Sequence, residues 1–250
     1  MGKLVSRGGA LSPRLGRARV HPIRRFKEPV GALLVVLRNG GTGASNFIDR
    51  HPFMTTRNAL ALLGEVRRCT LCAKDLPLGP RPILQLHPDA RILIAGQAPG
   101  RKVHESGTPF ADASGDRLRE WLGITPEIFY SARHVSILPM GFCFPGTGKA
   151  GDLPPRPECA PAWREDLLRH LRKLKLTLVI GQYAQAYHLP DAGGSVTATV
   201  QAWREHWPSI VPLPHPSPRN NLWLRRNPWF EEKLLPRLRL RVAEVLRDEG

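Results

Sequence analysis

The sequence predicts an α/β fold, a three-layer α/β/α sandwich around a central, roughly four-stranded parallel sheet. Three observations predict it. Four short apolar runs, Ala90–Ala95, His134–Met140, Leu176–Ile180 and Ile210–Leu213, have the length of buried strands. Segments of helical periodicity separate them, and strands that alternate with helices imply parallel pairing with both faces covered. A Gly/Pro loop follows the first run and a His-bearing loop follows the last. In open α/β sheets, ligands bind in the crevice beyond the carboxyl ends of the strands.

Each element has its own local reason. Thr55–Arg68 has helical spacing, with Leu60, Leu63 and Val66 on one side. Ser114–Leu122 opens on a residue that can cap and places Leu118, Trp121 and Leu122 on one face. Ala160–Leu174 reads as an amphipathic helix rich in Arg and Leu. Gly181 ends the third strand before a helix through His188, and Val196–His206 reads as helical. Trp229–Arg247 closes the chain as a long basic helix. Pro154–Pro161 reads as an ordered Pro-rich connector rather than a domain linker.

At 250 residues and 42% hydrophobic content, the chain can build one sizeable core. No apolar run approaches the ~20 residues of a membrane helix. The net charge of +16 points to a polyanionic partner, nucleic acid first. The charge is unevenly placed. Residues 1–53 hold ten Lys/Arg against two acids, Glu28 and Asp49, with no Cys or Trp. They read as a disordered basic arm, either transit-like or a gene-model leader ahead of Met54, with the folded domain over 54–250.

The loop Gly96-Gln97-Ala98-Pro99-Gly100 lacks the spacing of a dinucleotide fingerprint. Gly146-Thr147-Gly148-Lys149 is not a P-loop, because Cys143 stands where that motif needs Gly. Four cysteines are present: Cys69 and Cys72 as C-x-x-C, then Cys143 and Cys159 sixteen positions apart. Four thiolates suit an iron–sulfur cluster or a tetrahedral zinc site, and a reducing compartment disfavours disulfides.

Taken together, the pieces over about residues 57–240 resemble the uracil-DNA glycosylase superfamily. Gly96–Gly100 resembles its first motif. Pro109-Phe110-Ala111-Asp112-Ala113-Ser114-Gly115 stands at the interval of the iron–sulfur branch's Pro-Phe stretch. His215-Pro216-Ser217-Pro218-Arg219-Asn220 resembles the second motif as the single-strand-selective branch words it. The cysteine layout is similar to that of the four cluster ligands of the iron–sulfur branch. The resemblance therefore implies a structural [4Fe–4S] cluster on Cys69, Cys72, Cys143 and Cys159, with structural zinc as the alternative.

The implied activity is DNA repair by a monofunctional hydrolase: cleavage of the N-glycosidic bond of a flipped-out uracil, leaving an abasic site. The implied partner is DNA containing a damaged base, met by a monomer with no membrane association. The implied location is the cytoplasm with the nucleoid, organelle import being the other reading of the leader. His215 is expected to stabilise charge on the leaving base and Gln97 to orient water. Phe110 is expected to stack on the base, with the N–H groups of Gln97 and Ala98, together with Gly100, close to base or water. Arg219 is expected to meet DNA, with Arg225 and Arg226 beside it. Leu222 or Trp223 is expected to wedge into the base stack. Lys233, Arg237, Arg239 and Arg241 are expected to offer a phosphate-facing side of the last helix.

Two departures from the family pattern bear on chemistry. Gln97 and Ala98 stand where branches of the family have Glu or Asp, so the expected water-activating carboxylate is missing from the loop. His104, Glu105 and Asp112 are the replacement candidates. Pro139 falls where a uracil-reading Asn is expected, and it offers neither amide nor N–H; selectivity then passes to main chain around Met140–Phe142. These departures leave two rival functions open: a glycosylase for another deaminated base such as hypoxanthine, and a catalytically weak binder of damaged or single-stranded DNA.

Overall fold

The structure is a computed structural model that describes residues 56–149 and 151–247; the expected arm, 1–53, lies outside them. In chain order the regular elements are α1 (Thr56–Arg67), β1 (Ile92–Ala95), α2 (Arg101–Ser106), α3 (Ala113–Leu122), α4 (Pro126–Phe129), β2 (Val135–Ile137), β3 (Thr147–Gly148) and β4 (Gly151–Asp152). They continue with α5 (Cys159–Arg169), β5 (Leu176–Ile180), α6 (Gly181–His188), α7 (Val196–Gln201), β6 (Ile210–Leu213), α8 (Asn221–Arg226) and α9 (Leu235–Arg247).

The main sheet has the order β2-β1-β5-β6, with every neighbouring pair parallel. The four-stranded parallel α/β/α sandwich expected from the sequence is therefore present. Alternation along β1 sends Ile92 and Ile94 to one face and Leu93 and Ala95 to the other. The first face packs against Leu118 and Trp121 of α3 and Leu238, Val242 and Val245 of α9. The second packs against Ala59, Leu63 and Val66 of α1, Leu167 of α5 and Ala184 of α6. Pro212 is tolerated in β6 because that strand is an edge.

The order places a topological switch between β1 and β5: the chain leaves β1 for β2 on one side and returns to β5 on the other. Crevices form at such points, beyond the strands' carboxyl ends.

Several boundaries differ from the sequence expectation for identifiable reasons. The cap of α3 is Asp112 rather than Ser114: its carboxylate accepts the Gly115 N–H at 3.0 Å. The expected helix from Trp229 divides into a wide π turn, Phe230–Leu234, followed by α9. Pro236 has no N–H to donate back along the helix, which disrupts regular α pairing there. The Val196–His206 helix ends at Gln201 and continues as a tight 3-10 turn, Trp203–Glu205.

Candidate active site

The loops after β1, β2 and β6 enclose a cavity of about 520 Å3 at the switch point. That lies within the roughly 300–1,000 Å3 of small-molecule sites. Gly96–Gly100, Phe110, Asp112, Pro139, His215 and Arg219 all line it. The two motifs that the sequence singled out thus share one pocket.

His215 is held by its own loop. Ser217 N donates to His215 Nδ1 at 3.2 Å, and the Asn220 amide donates to His215 O at 2.7 Å. A backbone N–H must meet an unprotonated ring nitrogen, so Nδ1 is the acceptor and the proton sits on Nε2. Burial lowers the His215 pKa, and Arg219 lowers it further; Asp112 and Asp152 act in the opposite direction. The result is a neutral imidazole that presents an N–H donor. Arg117 Nη1 donates to Ser217 O at 3.1 Å and fastens the loop from behind.

Phe110 lies across the Gly96 backbone, with its ring 3.8 Å from the place where a Cβ on Gly96 would stand. It also meets Phe129 edge-on at 6.0 Å. Its backbone is left-handed, φ 55°, which an aromatic residue adopts only under constraint. Gly115 makes room for that turn: a Cβ there would lie 1.8 Å from Phe110 O.

The Gln97 amide nitrogen donates to Leu153 O at 2.9 Å and to Asp152 O at 3.5 Å, so it ties the first loop to hairpin β3–β4. Its water-orienting capacity is thereby reduced to the carbonyl oxygen, an acceptor. The N–H groups of Gln97 and Ala98 meet no protein acceptor among the described residues.

Of the three replacement bases, Asp112 alone lines the cavity. His104 is buried against Phe144, and Glu105 is an exposed residue outside the lining. Pro139 does line the cavity, whereas Met140, Gly141 and Phe142 stand outside the lining and their N–H groups are turned to the protein. Met140 N donates to Gly96 O at 2.8 Å, Gly141 N to Gln97 O at 2.9 Å, and Phe142 N to Cys159 Sγ at 3.3 Å. All three N–H groups are already engaged in joining the loops.

The mouth is basic, with Lys102 and Arg219 exposed along it. Arg219 reaches over Gly151, where an added Cβ would stand 2.5 Å from its guanidinium. On α8, Arg225 and Arg226 are exposed and Leu222 is 49% exposed. Trp223 is not a free wedge: its indole donates to Thr197 Oγ1 at 2.8 Å and packs on Trp229 and Phe230. The last helix also departs from expectation. Arg239 packs at Gly123, the end of α3 remote from the cavity, and Arg241 pairs with Glu244 and donates to Lys175 O at the amino end of β5.

Two residues that the sequence did not mark bear on the site, one in its lining and one bonded to the backbone of a lining residue. Asp152 lines the cavity from the hairpin. Arg164 of α5 is fully buried; Nη1 donates to Leu138 O at 2.8 Å and Pro139 O at 3.1 Å, while Nη2 meets His188 Nε2 at 2.7 Å. Neither had a motif signal, because one lies just beyond the stretch set aside as a failed P-loop and the other in an ordinary Arg-rich helix.

All four cysteines are free and line a second, small cavity with Leu71, Pro82 and Arg156. Among the described residues, no three His, Cys, Asp or Glu side chains converge as the ligands of one ion do. The Trp163 indole donates to Cys69 Sγ at 3.2 Å. Burial pushes the Cys143 thiol up to about 11 and the Cys159 thiol up to about 12.

A parallel sheet with its cavity at the switch point, beyond the strands' carboxyl ends, is the arrangement of an α/β protein that takes its ligand there. The chain belongs to the Uracil DNA glycosylase superfamily, whose family model matches residues 84–239. The match covers β1 through the first turn of α9 and includes both cavity loops. The protein is a DNA glycosylase by family, and no helix among its described residues is long and apolar enough to cross a membrane.

Proposed function

We propose that the protein is a monofunctional uracil-DNA glycosylase of base-excision repair. The observation that carries this reading is the His215 tautomer. With Nδ1 engaged by Ser217 N, Nε2–H is left as the ring's donor, on a residue that lines the same cavity as Phe110. As the glycosidic bond lengthens, the sugar becomes oxocarbenium-like and negative charge gathers on uracil O2. A fixed donor aimed at that oxygen strengthens as the charge develops, and is worth roughly 2.7–4 kcal/mol. Phe110 offers the stacking face for the extruded base, and Leu222 is the side chain free to fill the gap that it leaves. Arg219 and Lys102 serve the phosphates at the mouth. No Schiff-base lysine is invoked, so the product is an abasic site. The catalytic unit is residues 54–250, acting as a monomer on genomic DNA in the cytoplasm with the nucleoid; import into an organelle is the other reading of the basic leader.

The same reading includes a structural [4Fe–4S] cluster on Cys69, Cys72, Cys143 and Cys159. Four thiols line one cavity, and the N–H donors from Trp163 and Phe142 suit sulfur that carries charge. The cluster would pin the segment after α1 to the start of α5 and takes no part in bond cleavage.

A second reading has a specific observation in its favour. With Pro139 in the lining and the following N–H groups engaged, the asparagine pattern for uracil is absent, so another deaminated base is the rival substrate. Oligonucleotides carrying one uracil, hypoxanthine or xanthine, followed by alkali cleavage at abasic sites, separate the two. Uracil-directed cleavage is expected; hypoxanthine-only cleavage replaces the substrate, and binding without cleavage reduces the protein to a damage binder.

A further inference from the structure

We propose, resting on the glycosylase reading above, that Asp152 supplies the carboxylate that activates the attacking water. The first cavity loop carries Gln97 and Ala98 and cannot provide one. Three features of the geometry bring Asp152 to that task.

The hairpin that bears Asp152 is tied to the first loop by the Gln97 amide, which donates to the carbonyls of Asp152 and Leu153. The residue that replaces the expected acid therefore anchors the segment carrying a new one. Gly100 then makes room: a Cβ there would lie 3.2 Å from Asp152 Oδ2. The carboxylate oxygen thus rests against a bare Cα within the cavity lining. Finally, Thr147 Oγ1 donates to Asp152 Oδ1 at 3.3 Å, which orients the carboxylate and leaves Oδ2 on the Gly100 side.

Asp112 is the competitor inside the cavity. Its Oδ1 accepts the Gly115 N–H at 3.0 Å as the α3 cap, a tighter tie than the 3.3 Å contact of Thr147 Oγ1 with Asp152 Oδ1. Asp152 lines the same cavity as His215, the donor assigned to the leaving base.

The step balances as a hydrolysis. Water oxygen forms a bond to C1′ while one of its protons passes to the Asp152 carboxylate. The C1′–N1 bond breaks and its electron pair leaves on the uracil anion, whose O2 meets His215 Nε2–H. The proton on Asp152 then passes to solvent, and the products are free base and an abasic sugar.

The test is single-turnover excision from an oligonucleotide with one uracil, with affinity for the same DNA measured in parallel. Asp152→Asn should slow excision by roughly 10²–10⁴-fold, the range of a lost general base, while affinity changes by less than about threefold. Glu105→Gln, outside the cavity, should match the wild type. Asp112→Asn, which retains a capping acceptor, should lose far less than Asp152→Asn. Excision by Asp152→Asn within about threefold of wild type overturns the assignment, as does inactivity confined to Asp112→Asn. If the wild type removes hypoxanthine or xanthine instead, the uracil reading fails while the Asp152 comparison is made on that base with the same expectation. A wild type that excises none of the three overturns both.

Discussion

Gly100 is the clearest case of one residue's chemistry being set by its neighbour's. Its backbone, φ −78° and ψ 174°, is open to any residue, so glycine is not required there for conformation. What it provides is space, because a methyl would stand 3.2 Å from Asp152 Oδ2 and the carboxylate would have to give way slightly. Gly100→Ala should therefore fold with an unchanged melting temperature yet excise roughly tenfold more slowly, since the carboxylate must shift while its charge is kept. Full activity in Gly100→Ala would mean that the carboxylate's position does not matter. Gly115 is the opposite case: its missing Cβ is what lets Phe110 O approach, and no side chain fits. Both glycines stand in motif stretches of the sequence. Asp152 does not, because its approach to Gly100 depends on the hairpin and the Gln97 tie, contacts between segments some fifty residues apart.

At the scale of elements, α5 joins the two cavities. It begins at Cys159 and carries Arg164 to the carbonyls of Leu138 and Pro139, directly behind the cavity wall. Burial lowers the Arg164 pKa to about 10, which leaves it charged at neutral pH. Arg164→Met should cost roughly 2–5 kcal/mol in chemical denaturation, because buried carbonyls and an imidazole lose their donor. Its partner His188 is pushed down to about 4, by burial first and by Arg164 second, from an ordinary 6.5. The folded pKa is depressed, so as pH falls from 6.5 towards about 4 the unfolded chain takes up a proton that the folded chain refuses. Stability should fall over that window and be fully recovered above it. His188→Gln, which can still accept from Arg164, should flatten the difference; a slope equal to wild type would remove His188 from the acid response. The strands and most helices were legible because burial on both faces leaves continuous apolar runs. The hairpin, the short helices α2, α4 and α8 and the Arg164 network were not, because their reasons are tertiary hydrogen bonds that periodicity does not record.

Over the whole molecule, the fold brings two loops separated by more than a hundred residues to one crevice, and that convergence follows from parallel strands ending on the same edge. The motif order made the cavity legible. Its polarity was less so: the trapped N–H groups of Met140, Gly141 and Phe142, the anchored Trp223 and the remote Arg239 and Arg241 depend on packing. The cysteine reading has its own check. Protein purified without oxygen should be brown, and Cys69→Ala or Cys159→Ala should bleach and destabilise it; colourless, metal-free and equally stable protein would remove the cluster. The central claim is that His215 donates to the leaving base. Single-turnover excision by wild type and His215→Ala on uracil-containing DNA tests it most directly. The account predicts a loss of roughly 10²–10³-fold in rate with DNA affinity nearly intact, as for one donor made only in the transition state. Wild-type excision by His215→Ala would contradict it.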